Sequence, residues 1–247
     1  MSRPVAIVPA AGSGVRMGGG EPKQFREIGG VPILLRTLTA LRDAEVFERI
    51  IVAVSDDERA RVEAWVREIP GLVCVTGGEE RFHSVKNGLD AVDGEGEGVP
   101  GVIPTVPGTG SPGSDDERVV LVHDGVRPFV TAREIVEVVA AAERDGAAIV
   151  CSQPVETVKS LGEGGGIVET LDRERVRLAQ TPQAFQTGLF HEAYMRAESE
   201  TYVGTDEASL VERLGYVVSV VEADRWNIKI TTPEDFELAE WILKERR

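Results

Sequence analysis

Between Val8 and Gln24 the chain reads VPAAGSGVRMGGGEPKQ, a run holding five glycines, with Arg16 and Lys23 as its basic residues. Glycine lets a backbone turn tightly and lets a ligand approach the main chain closely. Successive amides in such a loop form a concave anion site. Together with two fixed cations, this chemistry suits a triphosphate, cradled by amides and neutralised as its α-phosphorus is attacked. Two commoner phosphate motifs are excluded. After Gly12 and Gly14 the next glycine is Gly18, one place too late for a dinucleotide fingerprint, and no P-loop signature occurs. A second candidate is Asp124, which closes the apolar run VVLVHD. A carboxylate at the end of a buried strand is a candidate Mg²⁺ ligand, since hard cations take oxygen donors and bridge nucleotide phosphates. His123 reads as structural, because a phosphate nucleophile is already ionised and needs little deprotonation.

The elements that must position these residues follow from apolar patterning. Val5–Val8, Ile50–Val54, Leu72–Val75, Val119–Val122 and Ala147–Val150 are short Val/Ile-rich runs bounded by turn or polar residues. Such runs suit strands buried on both faces of a mainly parallel sheet. Helix-start signals lie between them. Ser55 to Glu58 and Thr131 to Glu134 fit the capping box, and Thr232-Pro233 places a cap before proline at the first helical position. The alternation predicts a doubly wound α/β fold with a Rossmann-like, mainly parallel sheet, as one domain over 1–247. Its ligand should bind beyond the carboxyl ends of the strands. In the run Asn227-Ile-Lys-Ile, read as a strand, alternation turns Lys229 away from Ile228 and Ile230.

Two segments break this rhythm. Residues 93–117 hold seven Gly and four Pro among 25 positions, which predicts a flexible surface insertion. Residues 154–177 carry ETVKSL and GIVETL around Gly162-Glu-Gly-Gly-Gly166, which predicts a protruding β-hairpin arm. A projecting hairpin exposes edges, so it is expected to pack on a second copy of the chain as a homodimer. The net charge of −15 argues against a nucleic-acid partner. No apolar run approaches the roughly 20 residues that span a bilayer, and the start of the chain lacks a signal-peptide pattern. Cys74 and Cys151 lie inside apolar runs, as buried reduced thiols do. A cytoplasmic location is expected.

At this point five blocks show a resemblance. PAAGSGVRMGGGEPKQF, LVHDGVRPF at 121–129, LDRERVRLAQTPQAF at 171–185, TDEASLVERLG at 205–215 and NIKITTPEDFELAE at 227–240 occur in that order. The set resembles the 2-C-methyl-D-erythritol 4-phosphate cytidylyltransferases of isoprenoid biosynthesis. The resemblance implies transfer of CMP from CTP to methylerythritol phosphate, with pyrophosphate released and Mg²⁺ bound at Asp124. It places the nucleotide against Ala10, Ala11, Gly12, Gly14 and Asp124, and the cytosine and ribose by Gly78 and Ser84. Arg16, Lys23, Lys229 and Arg173 are implied as catalytic residues. Thr157 and Arg173, on the arm, would reach a neighbouring subunit's site and hold the acceptor, whose phosphate suits the planar fork of arginine. Glu79 stands where many relatives have Asp, and Trp226 departs from the usual residue before Asn227. Arg127 is left between a structural and a phosphate-side role. The sequence runs only seven residues beyond Glu240, so a single activity is expected. Ribitol-5-phosphate cytidylyltransferases share the loop, the Arg-Pro element and Gln-Thr-Pro-Gln, and Gly125-Val126 leans towards them. PAAG, TVKS and LDR lean back towards the methylerythritol enzymes. An idle nucleotide-binding dimer is the third reading, which intact Arg16, Lys23, Asp124 and Lys229 oppose.

Overall fold

The computed structural model describes residues 2–12, 21–92, 94 and 117–246. Gly14, Arg16 and almost all of the 93–117 insertion lie outside these residues. In chain order the elements are β1 (Val5–Pro9), β2 (Glu27–Ile28), β3 (Val31–Pro32), α1 (Ile33–Asp43), β4 (Arg49–Val54), α2 (Asp56–Glu63), β5 (Leu72–Thr76), α3 (Arg81–Asp90), β6 (Val119–Val122), α4 (Ala132–Asp145), β7 (Ala147–Ser152), β8 (Lys159–Leu161), β9 (Ile167–Thr170), β10 (Leu178–Gln186), α5 (Thr187–Ser199), α6 (Glu207–Arg213), β11 (Ser219–Glu222) and α7 (Pro233–Glu245). The main sheet runs β11-β7-β10-β6-β1-β4-β5, and every pairing in it is parallel except the two made by β10.

Helices cover both faces, which is why the central strands are apolar without alternation. On one side Leu34, Leu38 and Leu41 of α1, Val62 of α2, and Ile135 and Val138 of α4 meet Ala6, Val8, Val52 and Leu121. On the other side Val85 and Leu89 of α3, Phe190 and Tyr194 of α5, and Leu210 and Val211 of α6 meet Ile7, Ile51, Val120 and Phe185. A third cluster gathers Ile28, Ile33, Val126, Phe129 and Ile230 under Ala239 and Ile242 of α7. The expected doubly wound architecture is thus present, and all five expected strands form.

The capping signals divide. Thr131 and Glu134 close a reciprocal box at the start of α4, and Thr232 with Asp235 does the same behind Pro233 at α7. Ser55 is the residue before α2, but its side chain caps nothing; the bond there runs from the Glu58 amide to the Ser55 carbonyl. The expected strand at Asn227–Ile230 is also absent. That stretch is irregular, and the expected alternation holds only in part: Lys229 is exposed and Ile230 fully buried, but Ile228 is half-buried and Asn227 is fully buried. Its backbone is held locally instead, the Ile230 amide donating to the Val126 carbonyl and the Asn227 amide to the Asp224 carbonyl.

The arm is a hairpin, as expected. β8 and β9 pair antiparallel, Lys159 opposite Thr170 and Ser160 opposite Glu169, with Gly165 at positive φ in the turn. Its Leu161, Ile167 and Val168 are each more than 60% exposed. Both cysteines are free and buried, and burial pushes their thiols up to about 11. Among the described residues no helix is long and apolar enough to cross a membrane.

Candidate active site

The glycine loop leaves β1 at the carboxyl edge of the sheet, where the Ala10 amide still donates to the Ala53 carbonyl of β4. Its described part is stitched by Gln24, a buried side chain on the short 3-10 turn Lys23–Phe25. The Gln24 amide nitrogen donates to the Ala10 carbonyl at 2.7 Å and to the Gly12 carbonyl at 3.1 Å. This bond also fixes where Lys23 leaves the loop. The next wall follows β5. A Cβ at Gly77 would lie 2.1 Å from the Ala11 Cβ, so only glycine lets the two loops touch. The Gly78 amide donates to the Ser84 hydroxyl at 3.1 Å, and that hydroxyl donates to the Glu80 carbonyl at 3.2 Å. Ala10, Ala11, Gly77 and Ser84 thereby form one continuous surface.

Asp124 lies just past the end of β6 and is 6% exposed. Three cations converge on it. Arg81 Nε donates to Oδ1 at 3.1 Å, while Lys229 Nζ lies 2.9 Å and Arg127 Nε 3.4 Å from Oδ2. Burial would raise the carboxyl's pKa, but Arg81, Lys229 and Arg127 hold it well below the ordinary range, so it is ionised. Arg127 is tied down by a second bond, from Nη1 to the Asn227 carbonyl at 2.8 Å. That bond makes Arg127 a structural tie within the site. Arg81 is tied too, since its Nη1 pairs with the buried carboxylate of Glu207. Burial would lower the Arg81 pKa, yet Glu207 and Asp124 carry it above its usual value. Lys229 is 40% exposed at its side chain and is the most accessible of the three.

His123, as expected, is not placed to work on substrate. It is fully buried, with Nε2 3.1 Å from the Arg127 carbonyl and Nδ1 3.1 Å from the Thr181 hydroxyl. The carbonyl can only accept, which assigns the ring proton to Nε2 and leaves Nδ1 to accept from Thr181. Burial brings the pKa down to about 4, so the ring is neutral. Thr181 in turn accepts from the Asp124 amide at 3.0 Å, and its own carbonyl accepts from Asn227 at 2.9 Å.

The structure therefore gathers Ala10, Ala11 and Gly12 with Gly78 and Ser84, and Asp124 with Lys229. Thr157 and Arg173 sit apart from the Asp124 cluster in bonding: both are exposed on the arm, and Arg173 donates within it, to the Val155 carbonyl at 3.0 Å. Sequence reasoning missed Gln24, Arg81, Thr181, Asn227 and Glu207. All but Arg81 fall inside the blocks PAAGSGVRMGGGEPKQF, LDRERVRLAQTPQAF, TDEASLVERLG and NIKITTPEDFELAE, but nothing in their type or spacing singles them out there.

The 2-C-methyl-D-erythritol 4-phosphate cytidylyltransferase family model matches residues 5–100 and 112–245, the break falling inside the insertion. A protein of that name from Syntrophus aciditrophicus is 42% identical over 247 residues, spanning 98% of this chain and 96% of the relative. Another from Geobacillus kaustophilus is 43% identical over 244 residues, spanning 98% and 97%. Among solved structures, the 4-diphosphocytidyl-2C-methyl-D-erythritol synthase of Anaerococcus prevotii superposes with a TM-score of 0.80 at 28% identity, covering 98% of each chain. The 2-C-methyl-D-erythritol 4-phosphate cytidylyltransferase of Thermus thermophilus gives 0.72 at 33% identity, covering 99% of this chain and 100% of that one. With the family model and the relatives each spanning nearly the whole chain, this chain belongs to the 2-C-methyl-D-erythritol 4-phosphate cytidylyltransferase family.

Proposed function

We propose that the protein transfers CMP from CTP to 2-C-methyl-D-erythritol 4-phosphate, releasing pyrophosphate, by in-line attack of the acceptor phosphate on the α-phosphorus. The observation that carries this reading is Asp124, a buried and ionised carboxylate at the sheet's carboxyl edge with the exposed Lys229 at 2.9 Å. The acceptor phosphate is already an anion, so the protein positions and neutralises more than it moves protons. Ala10, Ala11, Gly12 and Gly14 present main chain to the nucleotide, with Gly78 and Ser84 beside the base and ribose. Arg16, Lys23 and Lys229 stabilise charge on the phosphates. His123 is spent on Arg127 and Thr181 and takes no proton from substrate.

The residues fit a magnesium ion of the kind shared between protein and nucleotide. Among the described residues no three His, Cys, Asp or Glu side chains form a cage. One carboxylate plus substrate phosphates is, however, the common magnesium arrangement. When bound, the ion withdraws charge from the phosphates, and Asp124 is the side chain that would hold it. The exposed apolar residues of the arm, Leu161, Ile167 and Val168, support a homodimer in which Thr157 and Arg173 grip the acceptor in the neighbour's site. Free, buried cysteines support a cytoplasmic location. Gly125 and Val126, the residues that lean towards ribitol phosphate, are packing residues. A Cβ at 125 would meet Leu34 at 2.9 Å and Val8 at 3.3 Å, and Val126 lies in the α7 cluster. Pyrophosphate release should be fast with CTP plus methylerythritol phosphate and near background with ribitol 5-phosphate. The reverse ranking, or no release with either acceptor, would sink the reading.

A further inference from the structure

Arg81 divides its guanidinium between two carboxylates that the chain brings together from far apart, Nε on Asp124 and Nη1 on Glu207. Glu207, at the start of α6, is 2% exposed, and its Oε1 is committed to Arg81, while its Oε2 lacks a hydrogen-bond partner. A buried carboxylate is costly unless paired, so this one is built around the arginine. Its own seat is firm. Gln183, 1% exposed on β10, donates to Asp206 at 2.8 Å and accepts from the Ala208 amide at 3.0 Å, bracketing Glu207. Asp206 caps α6 by accepting from the Ser209 amide at 3.0 Å.

We propose that Glu207 is a positioning residue for the transfer reaction, acting by holding Arg81 side-on so that only one edge of its fork reaches Asp124. A free guanidinium facing a lone carboxylate closes on both oxygens with two parallel bonds. Clamped by Glu207, Arg81 takes only Oδ1, and Oδ2 is left to Lys229 and Arg127. Arg127 is fixed by the Asn227 carbonyl, and so Lys229 is the cation able to leave Oδ2 for a nucleotide phosphate. The clamp keeps one Asp124 oxygen exchangeable between Lys229 and an entering metal ion while the carboxylate stays charged.

The proposal rests on the cytidylyltransferase reading, and its test separates the two. Steady-state pyrophosphate release is measured for the parent, Glu207→Gln, Arg81→Lys and the double variant, each at a temperature where circular dichroism shows it folded. Lysine keeps the charge but cannot span both carboxylates, and Arg81 is partly exposed, so Arg81→Lys carries the test even if Glu207→Gln does not fold. Each single change should lower kcat by roughly 10²-fold, the scale of a misplaced reacting group, with a much smaller change in KM for CTP. The double variant should lose no more than the worse single, because both break one unit. In calorimetry, the gain in CTP affinity that magnesium confers on the parent should shrink in the variants. Single variants within about threefold of the parent, losses that multiply in the double, or an undiminished magnesium effect would each overturn the clamp. A parent that fails to turn over would instead overturn the reading beneath it, and calorimetry would still judge the clamp.

Discussion

A carboxylate withdrawn from water stays charged only if its neighbours supply what the solvent no longer does, and at Asp124 three cations supply it. Lys229 is the most exposed of these cations, and its place in the cluster can be given up at the least structural cost. Lys229→Ala should therefore lower kcat by roughly 10²–10³-fold, the effect of losing one preorganised charge contact, while the melting temperature barely moves. Lys23→Ala should show the same pattern, and steady-state kinetics beside thermal unfolding separates turnover from stability for both. These residues were legible in the sequence because their types are rare in their settings: an aspartate closing an apolar run, a lysine between isoleucines. Arg81 and Glu207 were not. Each stands among other charged residues, in GGEER and TDEAS, where solvated side chains are the rule, and nothing local tells that positions 81, 124 and 207 meet. Gln24 was invisible for a similar reason, since its purpose is a pair of carbonyls on the loop it follows.

Elements were readable wherever local chemistry decided them. Thr131 and Glu134 close their box ahead of a strongly one-sided helix whose apolar face fixes its start. Ser55 has the same letters but leaves its hydroxyl out of the cap, and α2 opens instead with three acidic residues, Asp56, Asp57 and Glu58, that favour a helix N-terminus through its dipole. The strand read at Asn227–Ile230 failed because its amides go to the Asp224 and Val126 carbonyls and not to a neighbouring strand, a long-range fact that no local pattern shows. β10 went unread because Pro182 argues against a central strand. The strand tolerates it through a register shift between Ala179 and Gln183. Gly77 is the element-level weak point of the site. Gly77→Ala forces a methyl to 2.1 Å from Ala11 and 3.3 Å from the Ser84 hydroxyl. It should destabilise the protein by about 1–3 kcal/mol, the range for overpacking, and weaken CTP binding by calorimetry more than the same change at Gly164, which meets nothing.

At the scale of the whole molecule, the doubly wound sheet was legible because five strands buried on both faces announce themselves by composition alone. The order of the strands was not, since pairing is a long-range property. Its consequences for pH can be worked out at His123. The unfolded chain takes up a proton near pH 6.5 and the folded chain only near pH 4. Stability from this group is therefore complete above pH 6.5 and is lost as pH falls from there to 4, by up to roughly 3 kcal/mol. Asp124, with its depressed pKa, extends the loss to more acid conditions. Chemical unfolding across that window should show the slope, and His123→Gln should flatten its upper part. The arm makes a separate prediction. Charging it by Ile167→Glu together with Val168→Glu should shift the protein to monomers in sedimentation and abolish turnover, though the fold is kept; dimers that persist would refute pairing through the arm. Finally, β10 begins at Leu178, paired with Ser152 at the foot of the arm, and continues through Thr181, whose hydroxyl holds the Asp124 amide. One strand is thus both the arm's root and the site's floor. A tug on the outer lever is delivered along covalent backbone to the reacting centre, passing only through the register shift between Ala179 and Gln183.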